Sequence, residues 1–103
     1  MEKYFVLASK DVPGRSGNDP EWPKKIAYSP FLRRFLFLEG SGHGLMGGVL
    51  REEAAGQDKW RVVFEELRAE WILNFLKDND GLDSEKLLRA LEEKLGRLEV
   101  INY

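Results

Sequence analysis

The chain has 103 residues, of which 43% are hydrophobic and 33% charged, which suits one folded domain and excludes an intrinsically disordered chain. Its 16 Lys and Arg and 18 Asp and Glu give a net charge of -2, so no strong overall attraction to nucleic acid or anionic lipid is expected. With no Cys and a single His, the chain can form neither disulfides nor a multi-His metal site of its own.

The sequence predicts a cytoplasmic protein without a membrane span. The first apolar run, residues 4–8, is shorter than the core of a secretory signal, and no run approaches the roughly 18 apolar residues of a membrane span. The lack of Cys agrees with a reducing compartment. Abundant charged residues, with Gln57 the only glutamine, are typical of thermophilic proteins.

The first predicted element is a strand over residues 3–8. Its apolar residues fall on both faces, which is typical of a strand in the interior of a sheet. Segment 11–30 follows, and three of the four prolines lie within its first part, residues 11–23, together with Gly14 and Gly17. This composition predicts a Pro/Gly-rich loop over 11–30.

Residues 30–38 have two interpretations. Ser29 and Pro30 are a suitable cap and first residue for a helix. The unbroken apolar run 35–38, which ends near a glycine cluster, favours a buried strand over 33–39 instead. A turn then leads into a partner strand, residues 45–51. The glycines inside that strand indicate either a bulge or a close approach of two backbones.

The second half predicts one more strand, two helices and a last strand. After a turn at 53–58, Trp60, Val62 and Phe64 alternate with other residues, which predicts a half-buried strand, although a helix reaching back to Trp60 is the alternative. Apolar residues at helical spacing predict a helix over 66–78. A second helix is capped by Asp83 or Ser84 and ends at Leu95, and the final strand is 99–102.

These elements predict a single α+β domain over residues 1–103, in the order β-loop-β-β-β-α-α-β. Two consecutive helices in the C-terminal half would cover one face of a mostly antiparallel sheet of about five strands, giving two layers. The first and last strands would be neighbours in that sheet or would pair across a homodimer, since a domain this small has sheet edges to protect.

The glycine-rich segment 40–48 is the most unusual feature of the sequence, with five of the ten glycines. Glycine backbones can converge their N–H groups on an anion, and an imidazole would add a titratable donor. The spacing is neither a phosphate-binding P-loop nor, without a strand-to-helix turn, a dinucleotide fingerprint, so a plain hairpin turn is the alternative. The ligand-binding residues of such a site would be Gly40, Ser41, Gly42, His43, Gly44, Arg33 and Arg34.

A second set of residues mixes cations with aromatic rings, as single-stranded nucleic-acid sites do. Its members are Trp22, Lys24, Lys25, Tyr28, Phe31, Arg33 and Arg34. Residues 1–50 carry only two more basic than acidic residues, so nucleic acid is the weaker hypothesis.

The leading functional hypothesis is therefore a non-catalytic, homodimeric binding or interaction protein. It rests on the shortage of catalytic side chains, and it expects no cofactor and no metal; the partner would be a protein or a small anionic ligand. The alternatives are a phosphate- or nucleotide-binding protein or enzyme that uses residues 40–48 with His43, and a weak binder of single-stranded nucleic acid.

Overall fold

The described part of the chain forms four strands, then four helices and then one last strand. The computed structural model describes residues 1–12, 22–40 and 45–103, and within them it shows five strands and four helices. The strands lie in one sheet in the order β4-β3-β2-β1-β5. The elements are β1 (Lys3–Val12), β2 (Trp22–Ser29), β3 (Arg34–Gly40), β4 (Leu45–Arg51), α1 (Glu52–Ala55), α2 (Asp58–Glu66), α3 (Trp71–Asp78), α4 (Ser84–Leu95) and β5 (Val100–Asn102).

The structure confirms the predicted α+β fold and several of the predicted strands and helices. Strand β4 has the predicted bounds, and β3 is within one residue of them. Strands β1 and β5 pair within the chain, which is one of the two arrangements predicted for the first and last strands. Helix α4 begins where predicted, because the Asp83 carboxylate accepts a hydrogen bond from the Lys86 backbone N–H at 2.9 Å. It ends at Leu95 as predicted, and the next residue, Gly96, has a φ of 81°, a conformation that glycine adopts readily.

The loop predicted over 11–30 is wrong for its second half. Residues 22–29 form β2, the middle strand of the sheet, which pairs with β1 on one side and β3 on the other. Its apolar residues Ile26, Ala27 and Tyr28 are fully buried. The prolines of this segment had favoured a loop. Both lie at the ends of the strand, however: Pro23 is its second residue and Pro30 follows its last.

The strand predicted around Trp60 is also wrong. Residues 58–66 form helix α2, and Val62 is 59% exposed, whereas Phe64 is fully buried. The apolar residues therefore follow helical spacing and only resemble a strand over a few positions. The predicted helix over 66–78 begins later, at Trp71, because Arg68 has a φ of 52° and interrupts the helix.

Both faces of the sheet are apolar, but they are covered differently. Helices cover one face and form the larger core with it. Its buried members are Leu7, Ile26, Tyr28, Phe35, Ala55, Phe64, Ala69, Ile72, Leu76, Leu87 and Leu91. A smaller cluster lies apart from it: Tyr4, Ala27, Leu36 and Leu38, with Val6 and Ile101 packed against them.

Tyr103 shows that the sheet is strongly curled. This residue follows β5, yet its hydroxyl donates a hydrogen bond of 3.2 Å to the Gly47 carbonyl in β4, the opposite edge strand. In a flat sheet, about 19 Å would separate these edges, at roughly 4.8 Å per strand spacing. The ring of Tyr103 also meets Tyr4 edge-on, with ring centroids 6.4 Å apart. Curling and this C-terminal ring thus help to bury the smaller cluster.

Strand β4 contains the close approach predicted at its glycines, and its pairing with β3 has no bulge. A Cβ atom at Gly47 would collide with the Leu38 side chain and with the Phe37 carbonyl oxygen. The register shift of the sheet lies in β1 instead, between Val6 and Ala8. Among the described residues, no helix is long and apolar enough to cross a membrane.

Candidate functional site

The two ends of the paired strands β2 and β3 differ, and we call them the open end and the closed end. The open end is the end at Lys24 and Glu39, which are paired residues of β2 and β3. The closed end is the opposite end of the same two strands, at Ser29 and Arg34.

A pocket of about 250 Å³ lies at the open end, between the sheet and helix α2. Helix α2 and the residue after it supply an apolar wall, because Trp60, Val63 and Leu67 recur at helical spacing. The full lining is Lys24, Lys25, Phe37, Leu38, Glu39, Trp60, Val63, Glu66 and Leu67.

Aromatic packing fixes the wall of the pocket. Phe37 stacks on Trp60 with ring centroids 5.7 Å apart and planes 7° apart, and it meets Phe64 edge-on at 5.6 Å. The Lys59 ammonium lies 5.3 Å from the centre of the Trp60 ring, a cation–π distance. These rings join the pocket to the main core, so the wall is held in place before any ligand arrives.

The ion pair of Lys24 and Glu66 forms part of the rim of the pocket. The Lys24 ammonium contacts both carboxylate oxygens of Glu66, at 2.9 and 3.0 Å, and so ties β2 to α2. The side chains of the two residues remain 24% and 37% exposed. Lys25 instead pairs with Glu99, at 2.6 and 2.8 Å. Exposed pairs of this kind contribute about 0–1 kcal/mol, so a ligand could replace one partner at low cost.

The closed end contains a part-buried polar cluster. The hydroxyl of the fully buried Tyr28 donates a 2.6 Å hydrogen bond to Glu52. Burial and then this hydrogen bond raise the pKa of Tyr28 above its ordinary value, with Arg33 opposing the shift. The Arg33 guanidinium donates to the Leu82 carbonyl at 3.0 Å, and the Ser84 hydroxyl donates to the Pro30 carbonyl at 3.0 Å. This cluster fastens the β2–β3 turn to the helices.

The structure separates the residues that sequence analysis grouped around the glycine-rich segment. Gly40 is the last residue of β3 and is buried, whereas Arg33 and Arg34 are at the closed end, at the other end of the same strand. Arg33 already binds the Leu82 carbonyl. The remaining members of that site, Ser41, Gly42, His43 and Gly44, lie outside the described residues.

The residues grouped for nucleic-acid binding are also dispersed. Lys24 and Lys25 are adjacent in a strand, so their side chains leave opposite faces, and each pairs with a glutamate. Tyr28 is buried, and Phe31, which is exposed, lies at the closed end with Arg33. The side chain of Trp22 is outside the described part of the chain.

The sequence did not predict the pocket, because the alternation of Trp60, Val62 and Phe64 favoured a strand. The helical alternative contained the signal: positions 60, 63, 64 and 67 share one face of a helix. The contact between Lys24 and Glu66 joins residues 42 positions apart and had no local signal.

Neither a search for metal ligands nor a comparison with known proteins adds residues to the candidate site. In residues 1–12, 22–40 and 45–103, no three His, Cys, Asp or Glu side chains come close enough to hold a metal ion. No protein-family model, curated protein or solved structure matches this chain significantly.

Proposed function

We propose that this protein is a non-catalytic binding protein and that the pocket at the open end takes a small carboxylate with an apolar body. The pocket carries the proposal: an apolar wall of Trp60, Val63 and Leu67 faces an ammonium group, Lys24, that already holds a carboxylate. This is the arrangement that an amphipathic anion needs, with one charged anchor at the rim and apolar surface below it.

The pocket volume limits the size of the ligand. A cavity of about 150 Å³ lined by apolar side chains holds benzene, whereas sites for drug-sized ligands begin at about 300 Å³. At about 250 Å³, this pocket suits a body of one aromatic ring or a short acyl chain together with its carboxylate.

Glu66 acts as an internal competitor for the ligand. Its carboxylate occupies the Lys24 ammonium, so a ligand carboxylate must displace it or share the ammonium with it. Because an exposed pair contributes about 1 kcal/mol or less, Glu66→Gln should tighten binding by up to about fivefold.

Titration of the isotope-labelled protein with benzoate, phenylacetate and hexanoate, each beside its neutral primary amide, tests the proposal. We expect chemical-shift changes at residues of α2 and β3 for the acids, weaker ones for the amides, and tighter binding in Glu66→Gln. Val63→Trp, which fills the pocket, should abolish binding.

Val62→Trp is the matched control, because Val62 is the neighbouring residue on the exposed side of α2. It should bind like the wild type. Binding that survives Val63→Trp, or the lack of binding in both the wild type and Glu66→Gln, would overturn the proposal.

A further inference from the structure

Strand β4 is the longer of the two outermost strands of the described sheet. It has seven residues, whereas the other edge strand, β5, has three. Its ladder with β3 is regular, and it contains neither proline nor bulge. Gly47, Gly48 and Val49 at its centre are exposed. Edges of this kind are templates for strand addition unless something protects them.

The hydrogen-bond pattern shows which backbone groups of β4 point away from the sheet. Glu52 donates its N–H to the Arg33 carbonyl at 3.0 Å, so Arg34 and Arg51 face each other as a non-hydrogen-bonded pair. Such pairs recur at every second residue of an antiparallel ladder. The outward N–H and C=O groups therefore belong to positions 45, 47, 49 and 51. The Tyr103 hydroxyl bound to the Gly47 carbonyl agrees with this direction.

We propose that β4 pairs antiparallel with β4 of a second copy of this chain, around a two-fold axis at Gly48. This register places Gly47 opposite Val49 of the second copy, and every outward backbone group of one strand meets one of the other. The Gly47 carbonyl oxygen has two lone pairs, so it can accept from Val49 of the second copy while the Tyr103 hydroxyl uses the other.

The side chains of β4 also fit a second copy. Val49, which is 43% exposed, would lie over Gly47 of the other strand, where no side chain stands in its way. Arg51 would oppose position 45, an uncharged leucine, so no like charges face each other. The result is a continuous ten-stranded sheet with isologous symmetry.

Sedimentation of the full-length protein over a range of concentrations tests this interface with two matched variants. The Val49 N–H points off the edge, so Val49→Pro removes no bond of the β4–β3 ladder, but by symmetry it removes two intermolecular ones. We expect a wild-type dimer that weakens by more than about tenfold in Val49→Pro.

Val100→Pro is the control on the other edge. Val100 is 44% exposed, and its N–H also points outwards, because Val6 donates to the Glu99 carbonyl and Phe5 and Val100 are therefore a non-hydrogen-bonded pair. This variant should remain a dimer. A wild type that stays monomeric at its solubility limit, or a dimer that Val49→Pro leaves intact, would overturn the proposal.

Hydrogen exchange gives a second readout that needs no variant. The amides of Gly47 and Val49 should gain protection as the protein concentration rises. The Gly48 amide points towards β3 inside each chain and should be protected at every concentration. Equal and concentration-independent exchange at Gly47 and Val49 would contradict pairing through this edge.

Discussion

The open and closed ends of the sheet use similar chemical groups in opposite ways. Both carry a carboxylate held by a side chain of β2: Glu66 by Lys24 at the open end, and Glu52 by Tyr28 at the closed end. The first pair is partly exposed and borders a pocket. In the second pair, the tyrosine is fully buried, and the neighbouring turn is bonded to Leu82 and to Ser84, the first residue of α4.

This difference separates stability from binding. A buried hydrogen bond is costly to break, because the group left behind stays away from water without a partner. A solvated ion pair is cheap to break, because water and ions replace the lost partner. We therefore expect the closed end to hold the helices on the sheet, and the open end to exchange its partners without loss of the fold.

The largest expected effect is that of Tyr28→Phe on stability. The substitution removes a hydrogen bond to a charged acceptor, and such bonds contribute about 1.5–3 kcal/mol. Denaturant unfolding of the two proteins measures the loss. Tyr103→Phe is the control, because Tyr103 also donates its hydroxyl but is 50% exposed, and it should cost less than about 1 kcal/mol. Equal losses in the two variants would contradict the expected difference between a part-buried and an exposed hydrogen bond.

The pH dependence of stability should report the titration of the same Tyr28 hydroxyl. The pKa of Tyr28 is raised in the folded protein, so the unfolded chain loses the proton first, near its ordinary value of 10.0. The free energy of unfolding should therefore fall as the pH rises above about 10. Burial also raises the pKa of Tyr4, so Tyr28→Phe should reduce this slope without abolishing it. An unchanged slope in Tyr28→Phe would show that other groups cause the alkaline loss.

The sequence predicted five strands, and five are described, but they are not the same five. One predicted strand, at 60–64, is helix α2, while β2 lies within the predicted loop. The two errors cancel in the count. Elements with a strong local signal were predicted well: β4 lies between glycine-rich and polar segments, and α4 has an Asp83 cap and a terminal Gly96. Local patterns gave a wrong prediction for β2. Its prolines favoured a loop, but the segment forms a strand because it pairs with β1 on one side and with β3 on the other.

The candidate site was predictable only in part. The helical spacing of Trp60, Val63 and Leu67 is present in the sequence, whereas the contacts of Lys24 with Glu66 and of Tyr28 with Glu52 depend on how β2 packs against distant elements. Arg33 and Arg34 lie far from Gly40, because the extended strand β3 separates them. The spacing of residues along the sequence does not show at which end of a strand the helices will pack.

A smaller effect is expected at the turn of the closed end. Arg33 has a φ of 56°, a conformation that costs residues other than glycine about 1 kcal/mol. Arg33→Ala and Arg33→Gly both lose the bond to Leu82, but only the glycine variant relieves the backbone. The glycine variant should therefore be about 1 kcal/mol more stable than the alanine variant in thermal unfolding. Arg68, with a φ of 52°, is the control, and the same difference should appear there.

The smallest effect should come from the ion pair of the open end. A double-mutant cycle with Lys24→Met and Glu66→Gln should give a coupling energy of less than about 1 kcal/mol in denaturant unfolding, and the coupling should decrease as salt is added. The parallel cycle with Tyr28→Phe and Glu52→Gln should give a larger coupling that salt hardly changes, because that contact is part-buried. If the two couplings were equal, Glu66 would be as firmly held as Glu52, and a ligand carboxylate could not replace it at low cost. A small, salt-sensitive coupling is what a pocket with an exchangeable rim requires.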